Sequence, residues 1–416
     1  MDSKPSGSDW RSILLLIFSV GAALLAISGA IGMLILMAVS ENFFSEAAPS
    51  PLATTLTATS LIAIGLLLLP MGWLSFKRLQ GQEFKTISLS ALRPWVWFAL
   101  PAVWLLTLTL VTLFYNASGA HWYMPFLHFL AIAIPIYLVI HIAANHIPLG
   151  SSQRAWSVFA CGVSLSPALA VIAEGIIILL GAIAVGLYLT GDPERMSEIE
   201  RLVNQVQNAP DMDSMLLLLG PLLKNPLTLL AALTLLSVFV PIIEESFKSL
   251  GVWLVADRLG TPAQGFALGV LSGAGFALAE SLFASATADA SWAVTLGMRA
   301  ISGAMHMLAA GLVGWGIAYA RLEKRYLRLI GMTFLAMLLH GVWNAGAVFT
   351  IAGGVGVMLS MPDFDILGSI MMLAGTGLLF FLMTGMFLAL ILINIRLRTS
   401  PTTPSPEMHS DTGGVK

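Results

Sequence analysis

Glu244, Glu245 and Lys248 fall within five residues, in the run Pro241-Ile-Ile-Glu244-Glu245-Ser-Phe-Lys248, inside an otherwise apolar stretch. Phe276-Ala-Leu-Ala-Glu280, then Arg299 with His306 seven residues later, then His340-Gly-Val-Trp-Asn344 follow in order. Carboxylates, imidazoles and an amide are what amide-bond hydrolysis needs: a base for water, donors for the developing oxyanion, and a proton for the leaving amine. Two imidazoles and a carboxylate are also a zinc-binding set with a fourth position open, which leaves a second glutamate as base. The residue types leave the metal and the metal-free versions both open.

The elements that must position these groups are membrane spans. The chain has 416 residues, of which 57% are hydrophobic and 10% charged. A soluble domain carries about 25% charged residues, so a water-facing globule is excluded. The net charge of −2, with no basic stripe, gives no basis for nucleic-acid binding. A span needs about 20 mostly apolar residues. The fold class that follows is an all-α polytopic transmembrane helix bundle of about ten spans, at 12–40, 52–76, 94–116, 124–145, 156–190, 227–257, 263–288, 291–320, 329–352 and 366–395. The first run, Ser12 to Ser40, is about twice the usual h-region of a signal peptide and reads as a retained span.

Lys77, Arg78, Lys85 and Arg93, then Arg321, Lys324, Arg325 and Arg328, then Arg396 and Arg398 mark alternate loops as cytoplasmic. Ten spans with both termini inside satisfy every loop. Cys161, alone in its chain, reads as a small buried hydrophobe.

Ionisable groups inside spans cost about 2.5–3.5 kcal/mol each and are functional hypotheses by default. Counted from the nearest cytoplasmic end, Glu244, Glu280, His306 and His340 lie about 20, 26, 22 and 18 Å deep, so four spans deliver polar groups to one layer. Glu244 and Lys248 share a helix face, whereas Glu245 is turned by about 100° and is expected to point elsewhere. Arg299 and His306 share a face, as do His340 and Asn344. Gly265, Gly269 and Gly273 form a small-residue ridge for close helix approach, with Glu280 on the same face. Pro241 frees a backbone carbonyl one turn before the glutamates. Glu174 in the fifth span has no evident partner, and His128 and His141 read as interhelical hydrogen-bonding groups.

Taken together, Glu244-Glu245-x-x-Lys248, Gly275-Phe276-x-x-x-Glu280, Arg299 with His306, and His340-x-x-Trp343-Asn344 resemble the PrsW family of membrane-embedded proteases, over residues 237–348. A more distant likeness is to the CAAX prenyl endopeptidases and bacteriocin-immunity proteins. Ser281 stands where the family commonly has Asn. The resemblance implies hydrolysis of a membrane-anchored protein or peptide substrate in or near the bilayer, often in regulated proteolysis. Carried onto this chain, it implies Glu244 as general base with Glu245 adjacent. Glu280 and His306 would hold or activate water, and His340 and Asn344 would bind a metal or donate to the oxyanion. Where a metal takes part, Glu280, His306 and His340 are the implied ligands and Zn2+ the implied ion. The resemblance also points to a cell inner (cytoplasmic) membrane.

Three segments follow from this reading. Residues 1–225 supply five spans and an acidic extracytoplasmic segment, 226–398 the catalytic-type spans, and 399–416 a Ser/Thr/Pro-rich disordered tail. The competing readings are a proton-coupled transporter, since buried carboxylates and histidines also make proton relays, and a non-catalytic immunity or binding protein of the same fold.

Overall fold

The computed structural model describes residues 10–43, 50–209, 212–223, 225–286, 291–360 and 365–399. Apart from Thr399, the segment expected as a disordered tail lies outside them. Among the described residues ten helices are long and apolar enough to cross a membrane, and the chain is an all-α polytopic bundle. In order they are α1 (Trp10–Phe43), α2 (Pro51–Leu79), α3 (Val96–Phe114), α4 (Ala120–Ala144), α5 (Ser152–Ala160) continued by α6 (Ser166–Thr190), and, after α7 (Pro193–Gln207) and α8 (Met212–Leu223), α9 (Pro226–Thr234) with α10 (Val240–Lys248) and α11 (Leu250–Leu254). The last four are α12 (Pro262–Ala284), α13 (Trp292–Glu323), α14 (Tyr326–Ser360) and α15 (Ile366–Arg398). The acidic segment is therefore two helices, α7 and α8. A small antiparallel pair, β1 (Thr86–Ser88) with β2 (Pro148–Ser151), joins two loops and was not expected from the sequence.

The centre of the bundle is α12 and α13, whose apolar stretches are 89% and 83% buried inside the protein. Every other span is far more exposed, which is what lipid-facing helices require. The small residues of α12 explain the difference. A side chain at Gly269 would collide with the backbone of Ala310, and one at Gly273 with the carbonyl of His306. The expected ridge thus seats α13 directly on α12. On the opposite side, a side chain at Gly275 would meet the backbone of Phe159 and Gly162, so the π-helical turn between α5 and α6 packs just as closely.

The sixth span is interrupted twice. A π-helical turn at Leu235–Phe239 precedes Pro241, and Ser249 ends α10 immediately after Lys248. Both interruptions are satisfied by side chains: Asn344 donates to the Leu236 carbonyl at 2.7 Å, and Ser272 donates to the Lys248 carbonyl. α10 is thereby pinned to α14 at one end and to α12 at the other.

Candidate metal and hydrolytic centre

α10, α12, α13 and α14 converge on Lys248, whose side chain is wholly buried. Its Nζ lies 2.8 Å from Glu244 Oε2 and 2.6 Å from Glu245 Oε1, and 4.6 Å from the Phe276 ring centroid. One cation therefore serves two carboxylates, and the trio keeps a net charge of −1. A buried charge demands such pairing.

His340 approaches from α14. Its Nδ1 is 2.9 Å from Glu245 Oε1, and its Nε2 is 3.8 Å from Glu244 Oε2. His306 approaches from α13. Its Nε2 is 2.8 Å from Glu280 Oε2, and its Nδ1 is 3.9 Å from Glu244 Oε2. The two imidazoles meet edge to face, with ring centroids 5.2 Å apart. The same Glu280 oxygen is held by Arg299, 2.6 Å away, while Arg299 Nε donates to Ser281 Oγ at 3.2 Å. Ser281 thus supports the arginine.

Each histidine sets one nitrogen against an outer carboxylate and turns the other towards Glu244. A carboxylate can only accept, so the ring proton belongs on the outer nitrogen and a lone pair remains on the inner one. Carboxylate-backed histidines are the usual second shell of metal ligands. His306 Nδ1 is buried with no hydrogen-bond partner, which is the condition of a donor atom reserved for something else. Ligand atoms from Glu244, Glu245, His306 and His340 all lie within 4.8 Å of one another. The residues fit a divalent metal.

One expectation needs correcting, and two other site residues stand apart from the close group. Glu245 does not point away from the centre; its side chain is fully buried and bonded to Lys248 and His340. The 100° turn between adjacent glutamates is real, but Lys248 bends back over both, and α14 covers the second face. Glu280 is not part of the close metal-type group, because it faces the outer nitrogen of His306 and the two ring nitrogens point in divergent directions. Asn344 is engaged with the Leu236 carbonyl of the π-helical turn and makes no described contact to the histidines or glutamates.

Residues 212–374 match the family described as PrsW family intramembrane metalloprotease. Through this segment the chain is similar to the PrsW family. The matched stretch runs from α8 into α15 and contains the whole centre, while the first five spans lie outside it. The match supports a peptidase of the intramembrane metalloprotease type. No curated protein and no solved structure matches the chain.

Sequence reasoning left Glu174 alone, and the structure gives it neighbours. It sits on α6, which packs against α10 and α12, the helices that carry Glu244 and Glu280. Its Oε1 is buried without a hydrogen-bond partner. The signal in the sequence was its isolation, a carboxylate with no cation on its own helix. His128, by contrast, bonds Ser285 Oγ at 2.8 Å, in keeping with an interhelical hydrogen-bonding role.

A groove of about 460 Å³ opens beside the centre, between α10–α11 and α14. Glu245 and Ser246 lie at one side of it, and Thr333, Phe334 and Met337 at the other.

Proposed function

We propose that this protein is an intramembrane metallopeptidase that cleaves membrane-anchored proteins or peptides, with water activated between Glu244 Oε2, His306 Nδ1 and His340 Nε2. The observation that carries the reading is the inward turn of both histidine lone pairs onto one glutamate oxygen, at 3.9 and 3.8 Å. His306 and His340 would hold the ion directly, and Glu280 and Glu245 would orient the two imidazoles. A bound divalent ion would polarise the scissile carbonyl and make water a stronger acid.

The chain's own groups account for the proton transfers. Glu244 is the better placed of the two adjacent glutamates to take a proton from water, because its side chain is 8% exposed and that of Glu245 is 0%. The same carboxyl then returns a proton to the leaving amine. Lys248 compensates the charge of both carboxylates at a depth where water cannot. The groove beside Glu245 gives an extended substrate segment a route from the lipid-facing surface.

The test is cleavage of membrane-anchored candidates by the full chain in lipid, with bound metal quantified on the same samples. Glu244→Gln is expected to lower the rate by roughly 10²–10⁴-fold, the range for loss of a general base. His306→Ala and His340→Ala should lose metal and cleavage together. Undiminished cleavage by Glu244→Gln would sink the reading.

A further inference from the structure

A second cavity lies elsewhere. It encloses about 640 Å³ between the start of α1, the α5 and π-helical-turn region, and α11 with the turn that follows. That is the size of an ordinary ligand pocket, about 300–1,000 Å³. Its walls are apolar: Leu14, Phe18, Met71, Leu165 and Leu254 among others. Its mouth is not. Arg11, Arg154, Arg258 and Arg321 all line it, against the single carboxylate of Asp257. Four cations and one anion leave an excess of three positive charges.

All five charged residues sit at helix ends on the side that the loop lysines and arginines assign to the cytoplasm. Trp10 and Trp253 lie at the same level, where aromatic belts meet the headgroups. Partial neutralisation is visible and incomplete. Arg11 pairs with Asp257 at 2.8 Å, and Arg154 donates through one terminal nitrogen to the Arg258 carbonyl. Arg154 Nε is buried without a partner, while the side chains of Arg258 and Arg321 are exposed. The walls are fixed: Gln153 donates to Ser12 Oγ at 2.9 Å and Ser75 Oγ at 3.3 Å, tying α5 to both α1 and α2.

We propose that this cavity binds one anionic phospholipid of the adjacent leaflet, its phosphate among the arginines and an acyl chain between α1 and α11. Arginine forks match phosphate oxygens, and basic pockets at the headgroup level between transmembrane helices take acidic lipid headgroups. An apolar cavity continuous with a cationic rim at headgroup depth suits a molecule that is apolar at one end and anionic at the other. A zwitterionic lipid offers the same chain but brings its own cation to the rim.

Native mass spectrometry of the purified full chain, offered phosphatidylglycerol and phosphatidylcholine of matched chains, tests this. Wild type should retain phosphatidylglycerol at least tenfold better. Arg258→Ala with Arg321→Ala should bring the ratio close to one, and the paired Lys replacements should restore it, which separates lost charge from a damaged fold. Leu165→Trp, narrowing the apolar part, should reduce retention of both lipids. Equal retention of the two lipids by wild type overturns the proposal, as does an unchanged ratio in the double alanine variant. Displacement of the lipid by millimolar glycerol 3-phosphate would assign the rim to a soluble phosphate and overturn it as a lipid site.

Discussion

His306 lies between two carboxylates, with Nε2 2.8 Å from Glu280 and Nδ1 3.9 Å from Glu244. The short contact orients the ring and the long one leaves room for a reacting species. His340 repeats the arrangement with Glu245 outside and Glu244 inside. Two histidines from two helices therefore share one inner glutamate, and each has its own outer one.

That division of labour predicts graded losses. Glu245→Gln and Glu280→Gln remove orienting groups and should lower metal affinity or cleavage by roughly 10–100-fold. His306→Ala and His340→Ala should abolish both. Metal titration and cleavage rates on all four variants check it; equal losses at Glu280 and His306 would place Glu280 in the inner set.

Lys248 makes a separate prediction about stability. Lys248→Met leaves Glu244 and Glu245 buried without their cation, which should destabilise the protein by about 3–5 kcal/mol. Adding Glu244→Gln and Glu245→Gln to it should recover much of that loss, because no uncompensated charge then remains. Thermal unfolding in detergent of the single and triple variants measures the difference.

Much of this was legible from residue types and helical spacing. The ten spans follow from apolar run length, and the convergence of Glu244, Glu280, His306 and His340 follows from rise per residue. The roles within the cluster did not follow. Which nitrogen of His306 faces Glu280 depends on rotamers and on the closeness of α13 to α12, and spacing carries neither. Asn344 lies one turn from His340, yet it answers the Leu236 carbonyl in a π-helical turn; Pro241 announced a freed carbonyl, but spacing did not say which side chain would meet it. Glu174 lies at a contact between the fifth and sixth spans, invisible until α6 is seen against α10.

The glycine ridge should be intolerant. Gly269→Leu would force α12 away from Ala310, and overpacking of this kind costs about 1–3 kcal/mol or more. Because Glu280 and His306 sit on the two helices being separated, cleavage should fall along with the melting temperature. Gly297→Leu, at a position with open space around it, is the matched control and should change neither.

The groove beside Glu245 yields the last prediction, and it separates substrate access from chemistry. Thr333 and Phe334 line that groove from α14 and take part in none of the ion pairs or hydrogen bonds described above for the glutamates and histidines. Thr333→Trp would fill space without removing a charge or a metal donor. Bound metal and thermal stability should stay at wild-type levels while cleavage of a membrane-anchored substrate drops, mainly through a higher KM. Phe334→Ala should move KM in the same assay without changing metal content. If both variants cleave with wild-type KM, substrate reaches Glu244 by another route, and the more exposed side of the centre, at Glu280 and Arg299, becomes the entrance to examine.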